Sequence, residues 1–466
     1  MLEQLPLPSH PRTRPSLPVH ESDLKTAFDL GPNAKSYKQQ YANIYFIRLA
    51  KLRKAVEERA KAKWSNVDGS PKYVKRVLDV QKGELCYIIG TVYMDMPLKP
   101  NVLEDISKDH WIAAPPPRPK IYSSDDSAML EDESGRIRMV GERLQRARPV
   151  TGVIMGALGA ETAKGDFEVV DVCWAGMPPQ PSREGEEMDV DGAERKGEWV
   201  ALASGLDIGG SAAPSDMRTE LLVELLTSEL GGSEDQGETA RITRLILAGN
   251  SLTPPIRQEE IIKKRYGYDS SSYSPAPTIS LAAHLLDLSR AMPVHLLPGA
   301  SDPAGATLPQ QALPKAMFGD VKKASGFSCE TNPCWIPLEG CLMLGAGGQT
   351  IDDIFRYVES DDRLEMTRNT LLWRHLAPTA PDTLWCYPFS DRDPFIISTT
   401  PHVYFVGNQP EFATSIARGA DGQQTRIILL PRFSQTGEVA LVHTGTLEVR
   451  KLTIELGGWE GLEKRE

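Results

Sequence analysis

Val294-His295-Leu296-Leu297-Pro298-Gly299-Ala300-Ser301-Asp302-Pro303 reads as a short apolar strand that halts at a proline and a glycine and runs into a small polar loop. The same design recurs three times. Trp199 to Ala203 leads into Ser204-Gly205-Leu206, Ile242 to Ala248 into Gly249-Asn250-Ser251, and Val403 to Val406 into Gly407-Asn408-Gln409-Pro410. Leucine-rich helical stretches, Met217 to Leu230 and Ile279 to Ala291, separate the first three strands. Strand-helix-strand spacing of this kind implies right-handed crossovers and a largely parallel sheet with its loops gathered at one edge, where a site belongs. Further strands at Cys341 to Leu344, Arg426 to Leu430, Glu438 to Val442 and Thr446 to Arg450 are enough for a two-sheet α/β sandwich.

Toward the amino terminus the pattern changes. Leu85, Tyr87 and Ile89 alternate with Cys86, Ile88 and Val92, as in a strand buried on both faces. Arg136 to Val140, Thr151 to Leu158 and Phe167 to Trp174 follow, the last two joined across Gly159 to Gly165 as a hairpin. Such short strands within about 100 residues predict a small barrel of the OB type. Before it, Tyr45, Leu49, Leu52 and Val56 step along one helix face, and Arg48, Lys51, Lys54, Arg59, Lys61 and Lys63 are assigned to a basic outer side. A solvated charged face explains those cations better than phosphate contact does. The expected organisation is a flexible Pro-rich tail at 1–35, a helix and OB-fold domain at 36–180, an acidic disordered loop at 181–198, the sandwich at 199–455 and a flexible tail at 456–466.

The chain has 466 residues, 40% hydrophobic and 25% charged, with a net charge of -11 that argues against a continuous basic face for nucleic acid. No run of 18 apolar residues and no apolar leader occurs, so an intracellular protein is expected. The six cysteines form no C-x-x-C, so they read as buried thiols; Cys329, Cys334 and Cys341 lack a fourth ligand for zinc. Gly345-Ala346-Gly347-Gly348 is followed by no Lys-Ser/Thr and is a turn, not a P-loop.

In order and spacing the four strand-end loops resemble the metal-binding loops of the calcineurin-like phosphoesterases, whose pattern runs D-x-H, G-D-x-x-D, G-N-H-D/E and G-H-x-H. A two-metal site of that type needs a bridging carboxylate and several imidazoles or carboxylates to hold the two ions about 3.5–4 Å apart and to generate hydroxide. Here Ser204 and Leu206 stand for the first Asp and His, Asn250 for the bridging Asp, Ala300 and Ser301 for Asn and His, and Asn408 and Pro410 for the last two His, leaving Asp302 alone. Leu206 and Pro410 offer no donor atom. The resemblance with these losses implies a catalytically inactive phosphoesterase fold with no metal and no cofactor.

Longer motifs narrow the resemblance. Leu297 to Pro303 with Leu308-Pro309-Gln310-Gln311, Gly347-Gly348-Gln349 with Asp352 to Tyr357, Arg374-His375-Leu376-Ala377-Pro378-Thr379-Ala380-Pro381-Asp382-Thr383-Leu384, Pro394-Phe395-Ile396 and Pro401 to Asn408 are similar to the small (B) subunits of eukaryotic replicative DNA polymerases, specifically the delta type. Tyr41 to Trp64, Gly90-Thr91-Val92-Tyr93, Met96-Pro97-Leu98-Lys99-Pro100 and Thr151-Gly152-Val153 agree with it. Departures fall in loops: 182 to 197, Tyr266 to Pro277, and the end after Leu456. The resemblance implies an OB barrel packed on an inactive phosphoesterase sandwich. It also implies a nuclear, non-enzymatic scaffold for DNA replication, lagging-strand elongation and repair synthesis. Such a scaffold would join the C-terminal, metal-cluster-bearing domain of the catalytic subunit to a third, clamp-binding subunit.

Two other readings compete. A residual phosphodiesterase would have to draw on Asp302, His295, His375, His402 and His443, and fails on the ligand count. Auxiliary single-strand binding by the barrel would use exposed aromatics such as Tyr87 and Tyr93 beside basic residues. For protein contacts, the loop aromatics Trp373, Trp385, Tyr387, Phe389, Phe395 and Phe412 are the interface candidates, and core packing explains them equally well.

Overall fold

In the computed structural model the described residues are 14–31, 41–100, 118–183, 198–209, 213–254 and 275–455. The acidic run 184–197, most of the Tyr266 to Pro277 loop and the tail 456–466 lie outside them.

The alternating stretch after Leu85 forms β2 (Cys86–Asp95), which follows a short β1 (Lys72–Tyr73) and precedes β3 (Ser127–Glu131), β4 (Arg136–Val140), β5 (Ile154–Glu161) and β6 (Phe167–Trp174). The pairing order is β2-β3-β4-β6-β5, and β5 pairs back onto β2, so five strands close a barrel. Closure leaves no long edge. Cys86, Ile88, Val92, Leu130, Met139, Met155 and Phe167 fill its interior. Gly90 is required where the barrel tightens, because a Cβ there would lie 2.6 Å from the Glu131 carbonyl oxygen.

The helix α1 (Ala42–Trp64) lies across β2, β5 and β6. Its buried stripe is Ile44, Arg48, Leu52, Val56, Ala60 and Trp64, a step of four throughout, with Leu49 beside it. Arg48 therefore corrects the sequence expectation. It belongs to the buried stripe, with 0% exposure, whereas Lys51, Lys54, Lys61 and Lys63 are exposed.

The second half builds β7 (Trp199–Ala203), β8 (Ile242–Ala248), β9 (Val294–Leu297), β10 (Phe327–Cys329), β11 (Cys334–Leu338), β12 (Cys341–Ala346), β13 (Val403–Gln409), β14 (Ala413–Arg418), β15 (Gln424–Pro431), β16 (Glu438–His443) and β17 (Val449–Thr453). One sheet has the order β10-β9-β8-β7-β16-β17, with the first four strands parallel. The other runs β11-β12-β13-β15-β14 with a parallel centre. Val200, Leu202, Ile246 and Leu297 from the first meet Met343, Phe405, Ile428 and Leu430 from the second. After the short barrel helix α2 (Glu142–Ala147), the helices α3 (Ala213–Leu226), α4 (Ser233–Thr239) and α5 (Ala276–Ala291) belong to the first sheet, and leucines of α3 and α5 pack on its outer face. The outer face of the second carries α6 (Gln349–Tyr357) and α7 (Arg363–Trp373). Their apolar cluster also takes Ile44, Val150, Val153 and Met177, so barrel and sandwich share one core.

Residues 14–31 depart from the flexible tail expected of them. Arg14 donates to the carbonyls of Thr239 at 2.7 Å and Ile242 at 2.6 Å, Leu17 is buried between the sheets, and Val19 bridges Leu338 on the β11 edge. Phe28 is fully buried against Phe395. Prolines suggested a solvated tail, but they are compatible with extended edge pairing, and the apolar side chains between them supply the anchors.

At the junction, Arg48 Nε donates to Asp393 at 2.8 Å, and its remaining nitrogens donate to the carbonyls of Gly152, Pro378 and Ala380 at 3.3, 2.8 and 2.9 Å. His375 Nδ1 accepts the Ala377 amide, which leaves Nε2–H to donate to Asp393 at 2.9 Å. Burial, with the Arg48 charge adding to it and Asp393 opposing, pushes His375 down to about 4. Burial alone would raise the Asp393 carboxyl, but His375 and Arg48 hold it well below the usual range.

Phe28→Ala is expected to cost about 3–5 kcal/mol in chemical denaturation of the full chain; a loose tail would give no change. The unfolded His375 takes a proton near its ordinary value of 6.5 and the folded one only near 4, so stability is expected to be lost as pH falls between those values. Denaturation midpoints at pH 7 and pH 5 (about 1.5 units below His375's unfolded value) measure this, and His375→Gln flattens the slope.

Candidate functional site

The carboxyl ends of β7, β8, β9 and β13 converge as expected, and their loops touch. A Cβ on Gly249 would lie 2.9 Å from the Gly299 Cα, one on Gly299 2.3 Å from the Asn250 amide nitrogen, and one on Gly407 2.2 Å from the Ala248 carbonyl oxygen. Glycine is what lets three loops close on one another.

The side chains at the expected ligand positions form a neutral brace. Ser204 is buried, donates to the Leu430 and Pro431 carbonyls at 3.2 and 3.0 Å, and accepts the Asn408 amide at 2.9 Å. Asn250 adopts positive φ (54°) and its Oδ1 accepts the Ser301 amide at 3.0 Å. Ser301 Oγ donates to the Leu252 carbonyl at 2.6 Å. Asn408, also at positive φ (57°), donates to the carbonyls of Ala248 and Gly347 at 3.2 and 2.9 Å. Leu206 is buried in the apolar cluster beneath α3 and α5, and Ala300 and Pro410 are exposed.

Asp302 supplies the one carboxylate among these eight positions. Its oxygens accept the amides of Leu252 at 2.9 Å and Gly299 at 2.7 Å, and burial pushes its pKa up in spite of them. A pair of divalent ions does not fit this donor set, because Leu206, Ala300 and Pro410 carry no side-chain donor atom, the hydroxyls of Ser204 and Ser301 and the Oδ1 of Asn250 are bonded to backbone groups, and a bridging carboxylate is replaced by Asn250. Among the described residues no group of three or more His, Cys, Asp or Glu side chains is arranged to hold a metal.

Beside the loops lies an amide cluster that the sequence reading did not single out. Asn332 Nδ2 donates to Gln310 at 2.8 Å and Gln349 at 3.0 Å, Gln349 donates to Gln310 at 2.9 Å, and Gln310 holds the Gly299 and Gly305 carbonyls at 3.0 Å each. Its signal was an amide in each of the motifs Leu308 to Gln311 and Gly347 to Gln349, beside strand ends.

The histidines brace as well. His402 Nδ1 accepts the Leu342 amide at 2.9 Å, His443 Nδ1 accepts the Thr446 amide at 3.1 Å, and His295 meets Glu330 at 2.7 Å. With His375 at the junction, the four occupy separate stretches of the chain, and among the described residues no metal-type cluster includes them.

Of the interface candidates, Trp373, Tyr387, Phe389 and Phe395 are core residues of the shared cluster, so for these four the core alternative holds and not the interface one. Trp373 ends α7, and the loop carrying the other three folds inward with the buried Asp393 and His375 bonded to its polar groups. Phe412 is half-buried at a sheet edge, and Trp385 is 66% exposed. On the barrel, Tyr87 is likewise no open platform: it is buried between Trp64, centroids 5.2 Å apart, and Tyr73, stacked at 5.3 Å. Tyr93 lies under Lys99 and Arg136 at 4.9 and 5.3 Å.

Comparison with known proteins bears on both halves. Residues 40–172 match the family model described as the DNA polymerase delta subunit OB-fold domain, and residues 200–414 match the model of the DNA polymerase alpha/epsilon B-subunit family. A DNA polymerase delta small subunit of Arabidopsis thaliana is 39% identical over 89% of this chain and 91% of its own length. The DNA polymerase delta small subunit of Saccharomyces cerevisiae is 32% identical over 96% of each, and DNA polymerase delta subunit 2 of Drosophila melanogaster 33% identical over 90% and 94%.

Ser204→Asp restores a carboxylate at the first position, yet it would face two carbonyl oxygens with no cation. A loss of about 3–5 kcal/mol in urea denaturation is expected, of the size seen for an uncompensated buried charge.

Proposed function

The chain belongs to the family of DNA polymerase delta small subunits, and from that premise we propose that it is a non-catalytic accessory subunit that organises the polymerase delta complex in the nucleus. In this reading 36–180 is the helix and OB-fold domain, and 199–455 is a calcineurin-type phosphoesterase domain whose catalysis has been lost. Residues 1–35, 181–198 and 456–466 flank them. The observation that carries the proposal is the neutral brace of Ser204, Asn250, Ser301 and Asn408 where a two-metal enzyme needs carboxylates and imidazoles.

A scaffold holds partners on a rigid body. The shared core and the junction around Arg48 support that role, because they fix barrel and sandwich as one unit offering surface on both. The partners proposed are the C-terminal, metal-cluster-bearing domain of the catalytic subunit and the third, clamp-binding subunit. The metal would be the partner's. Trp385 is the strongest contact candidate, a large exposed aromatic beside Tyr41, whose hydroxyl donates to the Cys386 carbonyl at 3.1 Å. The interior position of Tyr87 supports DNA contact through the partners rather than through base stacking on this barrel face.

Co-expression with the polymerase delta catalytic subunit followed by size-exclusion chromatography is expected to give one-to-one co-elution, with Trp385→Ala weakening it about tenfold or more. Separate elution, together with diesterase activity in this chain, would overturn the proposal.

A further inference from the structure

A strand at the end of a sheet presents unpaired amides and carbonyls, and folded proteins guard such edges with shortness, charge, proline or a covering segment. Three of the four edges of the sandwich are guarded. At one end of the first sheet β10 has only three residues. At the other end β17 carries Arg450 and Lys451, the latter paired with Glu438. On the second sheet β11 contains Pro337 and is covered in cis by residues 18–20, through Val19 opposite Leu338 and the His20 amide bonded to the Pro337 carbonyl at 2.8 Å.

The fourth edge, β14, is six residues long and, among the described residues, has no covering segment. It pairs in unbroken antiparallel register with β15 from Ala413 opposite Leu429 to Arg418 opposite Gln424, and stands last in the sheet order. Its sequence, Ala413-Thr414-Ser415-Ile416-Ala417-Arg418, holds no proline and no charge before its final residue. Ala417 is buried in the cluster under the helices, so Thr414, Ile416 and Arg418 point to the opposite face, and Ile416 is 39% exposed.

We propose that β14 is a strand-addition site, taken by an extended segment of another polypeptide of the complex. The inference rests on the proposed function. A ladder of free backbone groups selects an extended chain, as the cover on β11 illustrates within this molecule. Exposed Glu411 and Arg418 at its two ends select a segment with a basic residue beside the first and an acidic residue beside the second, and Ile416 selects an apolar one between them. A second copy of this chain is the weaker occupant. One six-residue pairing buries far less than the roughly 1,200 Å² of a stable association, whereas a partner tethered elsewhere needs little area here.

Hydrogen exchange of the full chain, alone and in the size-exclusion-purified complex with the catalytic and third subunits, tests this. Expected is a slowing of about tenfold or more for the amides of 413–418 on assembly. Ile416→Lys is expected to weaken assembly about tenfold while the variant alone melts like the parent, since the lysine guards an edge without touching the core. A complex that forms with unchanged exchange at 413–418 and normal assembly of the variant overturns the strand-addition site and leaves the accessory role standing. If no complex forms, the accessory role fails and this inference falls with it.

Discussion

A guanidinium buried without exposure between two domains needs partners for its nitrogens, and each nitrogen of Arg48 has one, from Asp393 or from three carbonyls, Gly152 of the turn before β5 and Pro378 and Ala380 of the 378–395 loop. Those bonds are directional where the surrounding apolar contact is not. They set the angle at which α1 meets the 378–395 loop, and therefore how the barrel sits on the sandwich. Gly152 shows how close the bodies come: a Cβ there would fall 1.9 Å from the Pro378 carbonyl oxygen. His375, neutral and with its tautomer fixed at both nitrogens, completes the arrangement without adding a second buried positive charge.

The strand ends answer the same polar requirement in another way. Where clustered carboxylates would repel one another without ions, neutral amides and hydroxyls bond instead to neighbouring backbone groups and to one another. Ser204, Asn250, Ser301, Asn408, Gln310, Asn332 and Gln349 tie the loops together with bonds that need no cation. The loop edge is thus held by a network of neutral side chains.

Much of this was legible in the sequence, by periods of two and 3.6. β2, β4, β6, β7, β8, β9 and β13 fall where alternation or apolar runs placed them, and the four loops converge because parallel strands leave their ends on one side. β3 escaped notice, since Ser127 to Glu131 holds no β-branched residue. Arg48 was misplaced because residue type outweighed position: a step of four from Ile44 to Trp64 marks it as buried, but a charged residue reads as solvated until its partner, 345 residues away, is known. For Tyr387, Phe389 and Phe395 residue type left interface and core equally open. A long loop is expected at the surface, and only its internal bonding lets this one turn inward.

The account depends most on the claim that the strand-end loops no longer accept a metal pair. Equilibrium dialysis of the full chain against manganese, followed by elemental analysis of the retained protein, measures that directly. Metal content indistinguishable from a buffer blank, and unchanged in Asp302→Asn, is the predicted result. Two equivalents retained by the parent chain and lost in that variant would contradict it.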